Sequence, residues 1–174
     1  MCGIVGLYLK NKKLHSKLGL YLSGMIDNMS SRGPDSAGFA IYNNLKSKNI
    51  YKYSLSFNNN ESIKSFEKES IRHFKDLEFT NIFDHTIVYS SALPSKFIPF
   101  IRSNFKNISI VGYGKSIEIF KQVGNPKNVV KKFKLDKFSG SHGIGHTRMA
   151  TESAITTEGS HPYSTGEDEC LVHN

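Results

Sequence analysis

The chain has 174 residues, 38% of them apolar and 11% aromatic, which suits one globular domain with a sizeable core. Its formal charge of +8 does not point to nucleic acid: most of the 23 basic residues are lysines scattered through the middle, and residues 138–174 hold one Arg against five acids, whereas phosphate-reading surfaces gather Arg and aromatics on one face. No stretch approaches the roughly 20 apolar residues of a membrane span, no basic-then-apolar export signal opens the chain, and Cys2 and Cys170 make neither a disulfide framework nor a CxxC metal pair, so the sequence reads as cytoplasmic, with no nucleic-acid or membrane partner.

In chain order, "GIVGLYL" (3–9) is a continuous apolar run and predicts a strand covered on both faces. Leu14, Leu18, Tyr21, Leu22, Met25, Ile26 and Met29 recur at three and four, which predicts an amphipathic helix over 14–30 that Gly33 and Pro34 stop. "GFAIYN" and the alternating "IYKYSLSF" read as two adjacent strands. "NNNESIKSFEKESIRHF" has Asn caps, an early acid and Ile63, Phe66 and Phe74 at helical spacing. "HTIVYSSAL" is a strand, and "NISIVGYGKSIEIFKQVG" predicts a hairpin across "GYGKS". Pro126 suits the first turn of a short helix through Phe133. "SHGIGHTRMAT" and "DECLVHN" supply two more short strands with a loop rich in Ser, Thr and Gly between them. Antiparallel-looking strands mixed with helices, and no internal repeat, predict an α+β fold.

Cys2 follows the initiator methionine directly. A buried cysteine that merely starts a core strand is the plain reading of it. A chemical reading requires Met1 to be removed, which the small side chain at position 2 permits. Cys2 would then carry a thiol and a free α-amine of pKa ~8 on one residue, a complete nucleophile and base. His146, His161 and His173 are candidate metal ligands, but their spacings fit no helical pair, so no metal or redox cofactor is implied.

Three blocks accompany Cys2: "RGPDSAG" at 32–38, "GIGHTRMATES" at 143–153 and "HPYSTGEDECLVHN" at 161–174. Each alone is weak, since Gly-Pro-Asp is turn chemistry and an exposed Arg often makes only a surface ion pair. Together with the N-terminal "CGI", in this order, they resemble the class II glutamine amidotransferases, which are N-terminal-nucleophile hydrolases. The wording is most similar to the glutamate-synthase-like subunits, including that of N-methylglutamate synthase, and less similar to the glucosamine-phosphate synthases, which read "HTRWATHG" where this chain has Met149, Glu152 and Ser153.

The resemblance implies a four-layer αββα sandwich. It also implies release of ammonia from glutamine through a Cys2 glutamyl thioester, in the service of a partner synthase subunit that accepts ammonia or the glutamyl group. Carried over residue by residue, Cys2 is the nucleophile and Asn174 the side-chain donor of the oxyanion hole. Arg148 holds the α-carboxylate of glutamine, Thr151 belongs to the same loop, and Arg32 lies in the loop beside the nucleophile. A glycine and an acidic residue that complete the site are expected to follow Asn174, so residues 1–174 are expected to be the front part of a single domain. The alternatives are a non-catalytic amidotransferase-like subunit that docks onto or regulates a synthase complex, and a cysteine hydrolase acting on another amide.

Overall fold

Two antiparallel four-stranded sheets carry most of the apolar segments in the computed structural model, which describes residues 1–43, 47, 49–150 and 154–174. The first sheet has the order β1-β8-β2-β7, from β1 (Gly3–Tyr8), β8 (His142–Arg148), β2 (Ser36–Tyr42) and β7 (Ile117–Val123). The second has the order β4-β5-β3-β6, from β4 (Glu78–Ile82), β5 (His85–Ser90), β3 (Tyr51–Phe57) and β6 (Ile108–Gly114). A hairpin of β9 (Tyr163–Gly166) and β10 (Glu169–Leu171) precedes the C-terminal tail.

Apolar side chains are sorted onto three faces. Leu18, Leu22 and Ile26 of helix α1 (Leu18–Asn28) and Val129 and Phe133, in and just after α4 (Pro126–Lys132), bury against Val5, Phe39 and Phe120 of the first sheet. Ile63 and Phe66 of α2 (Asn60–His73) and Phe97 and Ile101 of α3 (Pro94–Asn104) bury against Tyr53, Leu55 and Val88 of the second. Ala40, Ile117 and Ile119 meet Val111 across the space between the sheets. A charge pair is buried there too: Lys52 Nζ donates to Glu118 Oε1 at 2.9 Å and to the Asn43 carbonyl at 2.9 Å, so both ions keep partners without water. The result is an α+β sandwich. Among the described residues no helix is long and apolar enough to cross a membrane.

Four sequence expectations change. The adjacent strands "GFAIYN" and "IYKYSLSF" are in different sheets: β2 pairs with β7 and β8, and β3 with β5 and β6. Nor do residues 107–124 form a hairpin. β6 and β7 leave the turn for opposite sheets, because the turn's amides bond elsewhere: Asp168 accepts from the backbone N–H groups of Ser116, Ile117 and Lys115 at 2.8, 2.9 and 3.1 Å, and from Ser116 Oγ at 2.9 Å. β1 is an edge strand buried on one face, with Ile4 and Tyr8 exposed. Residues 14–30 divide into a 3-10 stretch, Lys12–Lys17, and α1, with a second short 3-10 turn at Ser30–Arg32. Beyond these, β4, α3 and β9 form where the sequence reading has no element.

The Asp168 tie makes a stability prediction. Burial alone would raise its carboxyl, but the bonds from Ser116, Lys115 and Ile117 hold it below the usual carboxylate range. Its contribution is therefore present at neutral pH and is lost as pH falls through that lowered value. Asp168→Ala is expected to cost about 3 kcal/mol, from three orphaned amides and a lost charge-assisted acceptor. Asp168→Asn, which keeps an acceptor oxygen and tolerates the left-handed backbone at φ 57°, is expected to cost less. Urea melts at pH 7 and pH 3 check both, since the wild-type advantage over Asp168→Ala must shrink in acid.

Candidate active site

The sheet register brings distant parts of the chain to one end of the first sheet. Gly3 of β1 stands opposite Thr147 of β8, so Cys2, just outside β1, lies beside Arg148 at the end of β8. Ser36 of β2 stands opposite Arg148 from the other side. The tail after β10 returns to the same place: the Cys2 backbone N–H donates to Asn174 Oδ1 at 3.1 Å across 172 residues. Together these residues wall an open cleft of about 370 Å³, shared with His161, Tyr163 and His173. A larger cavity of about 510 Å³, lined by Ile87, Phe120, Phe133 and Phe138, lies elsewhere and holds no candidate nucleophile.

The block "RGPDSAG" is the floor on which the Arg148 loop rests. The Asp35 backbone N–H donates to the Arg148 carbonyl at 3.0 Å, and Asp35 Oδ2 accepts from the Ala150 N–H at 2.8 Å. Gly33 packs against the Thr147–Arg148 peptide so closely that a Cβ there would collide with the Thr147 carbonyl. The Thr147 hydroxyl donates to the Met29 carbonyl at 3.1 Å. The Arg148 guanidinium is largely buried and reaches the Ala154 carbonyl at 3.4 Å. These short-range contacts explain the turn chemistry of the motif, with Asp35 as the residue that fixes the loop.

Three histidines meet at the cleft, His161 and His173 in its wall and His146 behind them, although their sequence spacing shows no pattern. The rings of His146 and His161 lie 4.1 Å apart and those of His161 and His173 lie 4.5 Å apart, while a ring nitrogen of His146 pairs with the His173 carbonyl at 2.9 Å. Among the described residues no three His, Cys, Asp or Glu are grouped to hold a metal. His161 is 4% exposed, and neither of its ring nitrogens has a protein partner. Burial first, and then the charges of His146, His173, Lys121 and Arg148, push its imidazole down to about 3. The unfolded chain takes up a proton near 6.5 that the folded cleft refuses. Stability is therefore complete above 6.5 and declines as pH falls from there toward 3, by at most about 1.4 kcal/mol per pH unit for this one group. His161→Phe is expected to flatten the melting temperature between pH 6.5 and pH 4 relative to wild type, which a thermal-melt series reads directly.

Of the residues that the sequence singles out, Cys2, Arg148 and Asn174 share the cleft. Arg32 sits on the exposed turn at Ser30–Arg32, its Nη2 3.7 Å from Met1 Sδ, beside the N-terminus and outside the cleft lining. Thr151, like Glu152 and Ser153, lies outside the described residues. The other cysteine, Cys170, is far from the cleft in the register: its thiol contacts the Tyr42 hydroxyl at 3.4 Å, Tyr42 stands opposite His142 at the other end of β8, and burial pushes the thiol's pKa up.

No protein-family profile matches the chain. Along its whole length it is 42% identical to the glutamine amidotransferase-like protein GlxB of Rhizobium meliloti, of which it covers 58%. It is 29% identical, again along its whole length, to a protein of Methanothermobacter thermautotrophicus named as a glutamine amidotransferase, of which it covers 61%. The chain thus spans about three fifths of the length of these curated relatives. A shorter stretch of 61 residues, 35% of the chain, is 38% identical to the glutamine–fructose-6-phosphate aminotransferase of Bradyrhizobium diazoefficiens. These likenesses support a glutamine amidotransferase domain.

Proposed function

We propose that the chain is a class II glutamine amidotransferase domain built on the αββα sandwich of the N-terminal-nucleophile hydrolases, with glutamine as substrate and a synthase subunit, of the glutamate- or N-methylglutamate-synthase kind, as the acceptor's host. The observation that carries this reading is the meeting of Cys2, Arg148 and Asn174 in one cleft. Once Met1 is removed, the Cys2 nitrogen is a free amine within reach of the thiol on the same residue. It takes the thiol proton as Sγ bonds to the side-chain carbonyl carbon of glutamine. Asn174, with Oδ1 turned to the Cys2 nitrogen, keeps its Nδ2 hydrogens for the developing oxyanion. Collapse of the tetrahedral species breaks the carbon–nitrogen bond, and the proton held on the amine goes to the departing nitrogen, which leaves as ammonia. Water then cleaves the thioester and glutamate departs.

Arg148 suits the α-carboxylate because a planar guanidinium can make two parallel bonds to it. Thr151 would join it in binding glutamine, as the resemblance implies, and Arg32 would cover the N-terminal side. Burial holds the His161 imidazole neutral at physiological pH, so that ring adds no positive charge beside Arg148. The test is a glutamate and ammonia assay on protein whose mass shows Met1 removed, with a glutamine-mimicking electrophile as a second probe of Cys2. The expected result is turnover, with labelling at Cys2 that glutamine slows. A Met1-free protein that neither turns over glutamine nor takes the label at Cys2 would overturn the reading.

A second, non-catalytic reading turns on Met1, which is exposed, with its ammonium 3.2 Å from Met149 Sδ and its sulfur 3.7 Å from Arg32 Nη2. If the purified protein retains Met1, the Cys2 nitrogen stays in a peptide bond. The chain would then be a docking or regulatory subunit.

A further inference from the structure

A buried cation beside the cleft has no part in the chemistry above. Lys121 lies on β7 opposite Gly38 of β2 and is 6% exposed. Its ammonium points into the space between the sheets, where Nζ donates to the Ser160 carbonyl at 2.8 Å and the Glu158 carbonyl at 3.1 Å and stands 4.8 Å from the centre of the Tyr163 ring. The segment it grips is otherwise bonded mainly to itself. The Ser160 N–H donates to the Thr157 carbonyl at 3.1 Å, the Ser160 hydroxyl to the Thr156 carbonyl at 2.8 Å, and the Tyr163 hydroxyl to the Gly159 carbonyl at 2.8 Å. Such local bonds give the segment a shape without saying where it sits.

We infer that Lys121 is a positioning residue for the cleft: by holding the Glu158 and Ser160 carbonyls against the first sheet, it fixes His161 and Tyr163 in the cleft wall. The chemistry favours this over a filling role. An apolar side chain would fill the volume at lower desolvation cost, whereas a buried ammonium persists only where acceptors satisfy it, and here two of them are backbone oxygens of one short segment. The β2 backbone is shaped to the same end. Gly38 lets the His161 carbonyl settle onto the strand beside Lys121, where any Cβ would intrude. Another long tie, from Ser109 Oγ to Glu158 Oε1 at 3.1 Å, holds a side chain and leaves the backbone free to move.

Lys121 is also titratable within reach of physiological pH. Burial pushes its ammonium down to about 8, opposed by the Glu158 carboxylate. The titratable groups facing it are Glu158, Tyr163 and the neutral His161. Deprotonation leaves an amine that bonds carbonyls more weakly than the charged form, so the grip on the segment loosens as pH rises through about 8.

The inference rests on the proposed function for its kinetic part and on geometry alone for the rest, so two measurements are paired. In Lys121→Met, amide hydrogen exchange at Gly159 and Ser160 is expected to quicken by about tenfold or more, as the loss of a charge-assisted bond implies. The Ser116 and Ile117 amides, held by Asp168, should stay within about twofold, since that site shares no partner with Lys121. In the wild type, Ser160 exchange corrected for its intrinsic base dependence is expected to accelerate between pH 7 and pH 9, and in Lys121→Arg, which stays charged, it is not. The glutamine KM of Lys121→Met should rise about tenfold with kcat within about threefold, the pattern of lost substrate positioning. Unchanged exchange at Gly159 and Ser160, or an equal acceleration at Ser116 and Ile117, would overturn the inference. Absence of glutamine turnover in the wild type would overturn the functional reading and leave the exchange result to decide the role of Lys121.

Discussion

Cys2→Ala, with its N-terminal methionine removed, is expected to lose glutamine hydrolysis by at least about 10³-fold, because the covalent route disappears and no other thiol reaches the cleft. Cys170 cannot substitute, being tied to Tyr42 on the other side of the first sheet's long register. The fold should survive. Cys2 is only partly buried and lies outside β1, so losing its sulfur removes little core. Melting within about 1 kcal/mol of wild type is the expected companion result for such a surface-near change. Asn174→Ala gives an independent check: loss of one oxyanion donor is expected to lower kcat by about 10²–10³ with less effect on KM. Substitution at Asn174 that raised KM alone would mean its amide binds substrate in the ground state and that the oxyanion lies elsewhere. A Cys2→Ala protein with wild-type glutamate release would place the nucleophile outside this cleft.

What could be read from the residues follows from how local each signal is. The helical spacing of Leu18, Leu22 and Ile26 and the Asn59 cap, whose Oδ1 accepts from Ser62 at 2.8 Å, are contained within one or two turns, and α1 and α2 appear where they point. Strand partners are another matter. "GYGKS" has the composition of a hairpin turn, but the residue that decides it is Asp168, 53 positions after Lys115, which draws off the turn's amides and lets β6 and β7 part. Two prolines, Pro94 at the start and Pro99 inside, hide α3 from a propensity reading. β4 is hidden because three of its five side chains are exposed and the other two only partly buried, with no regular alternation.

The candidate site divides the same way. Cys2, Arg148 and Asn174 stand in compact motifs and are legible as such, whereas the placement of Lys121 and the meeting of His146, His161 and His173 exist only once the chain has folded. A lone lysine in "IFKQVG" carries no local sign that two carbonyls 37 and 39 residues onward will close on it.

Gly38→Ala is expected to destabilise the protein by about 3 kcal/mol, lowering the melting temperature by roughly 6–12 °C for a chain of this size, and to lower glutamine affinity. Glycine-to-alanine changes usually stabilise where the backbone is compatible, since alanine has less freedom to lose. The backbone at 38 is ordinary extended strand, so that gain is available here. What opposes it is space: a Cβ would stand 2.5 Å from Lys121 Cβ and 2.8 Å from the Phe120 carbonyl oxygen, and closer still to the His161 carbonyl. The strand oxygen is fixed in the β2–β7 ladder and Lys121 is anchored at both ends, so the His161 segment is what must give. Relief at residue 161 carries His161 and Tyr163 away from the cleft wall, which joins the loss of stability to the loss of binding. Gly24→Ala serves as the opposite control. Gly24 lies in α1 with nothing within 4 Å of its ideal Cβ, and the substitution there is expected to stabilise by up to about 1 kcal/mol through helix propensity. Paired urea melts of the two variants decide the matter: the same methyl group must move stability in opposite directions, and a Gly38→Ala protein as stable as Gly24→Ala would mean that the His161 backbone does not rest on β2.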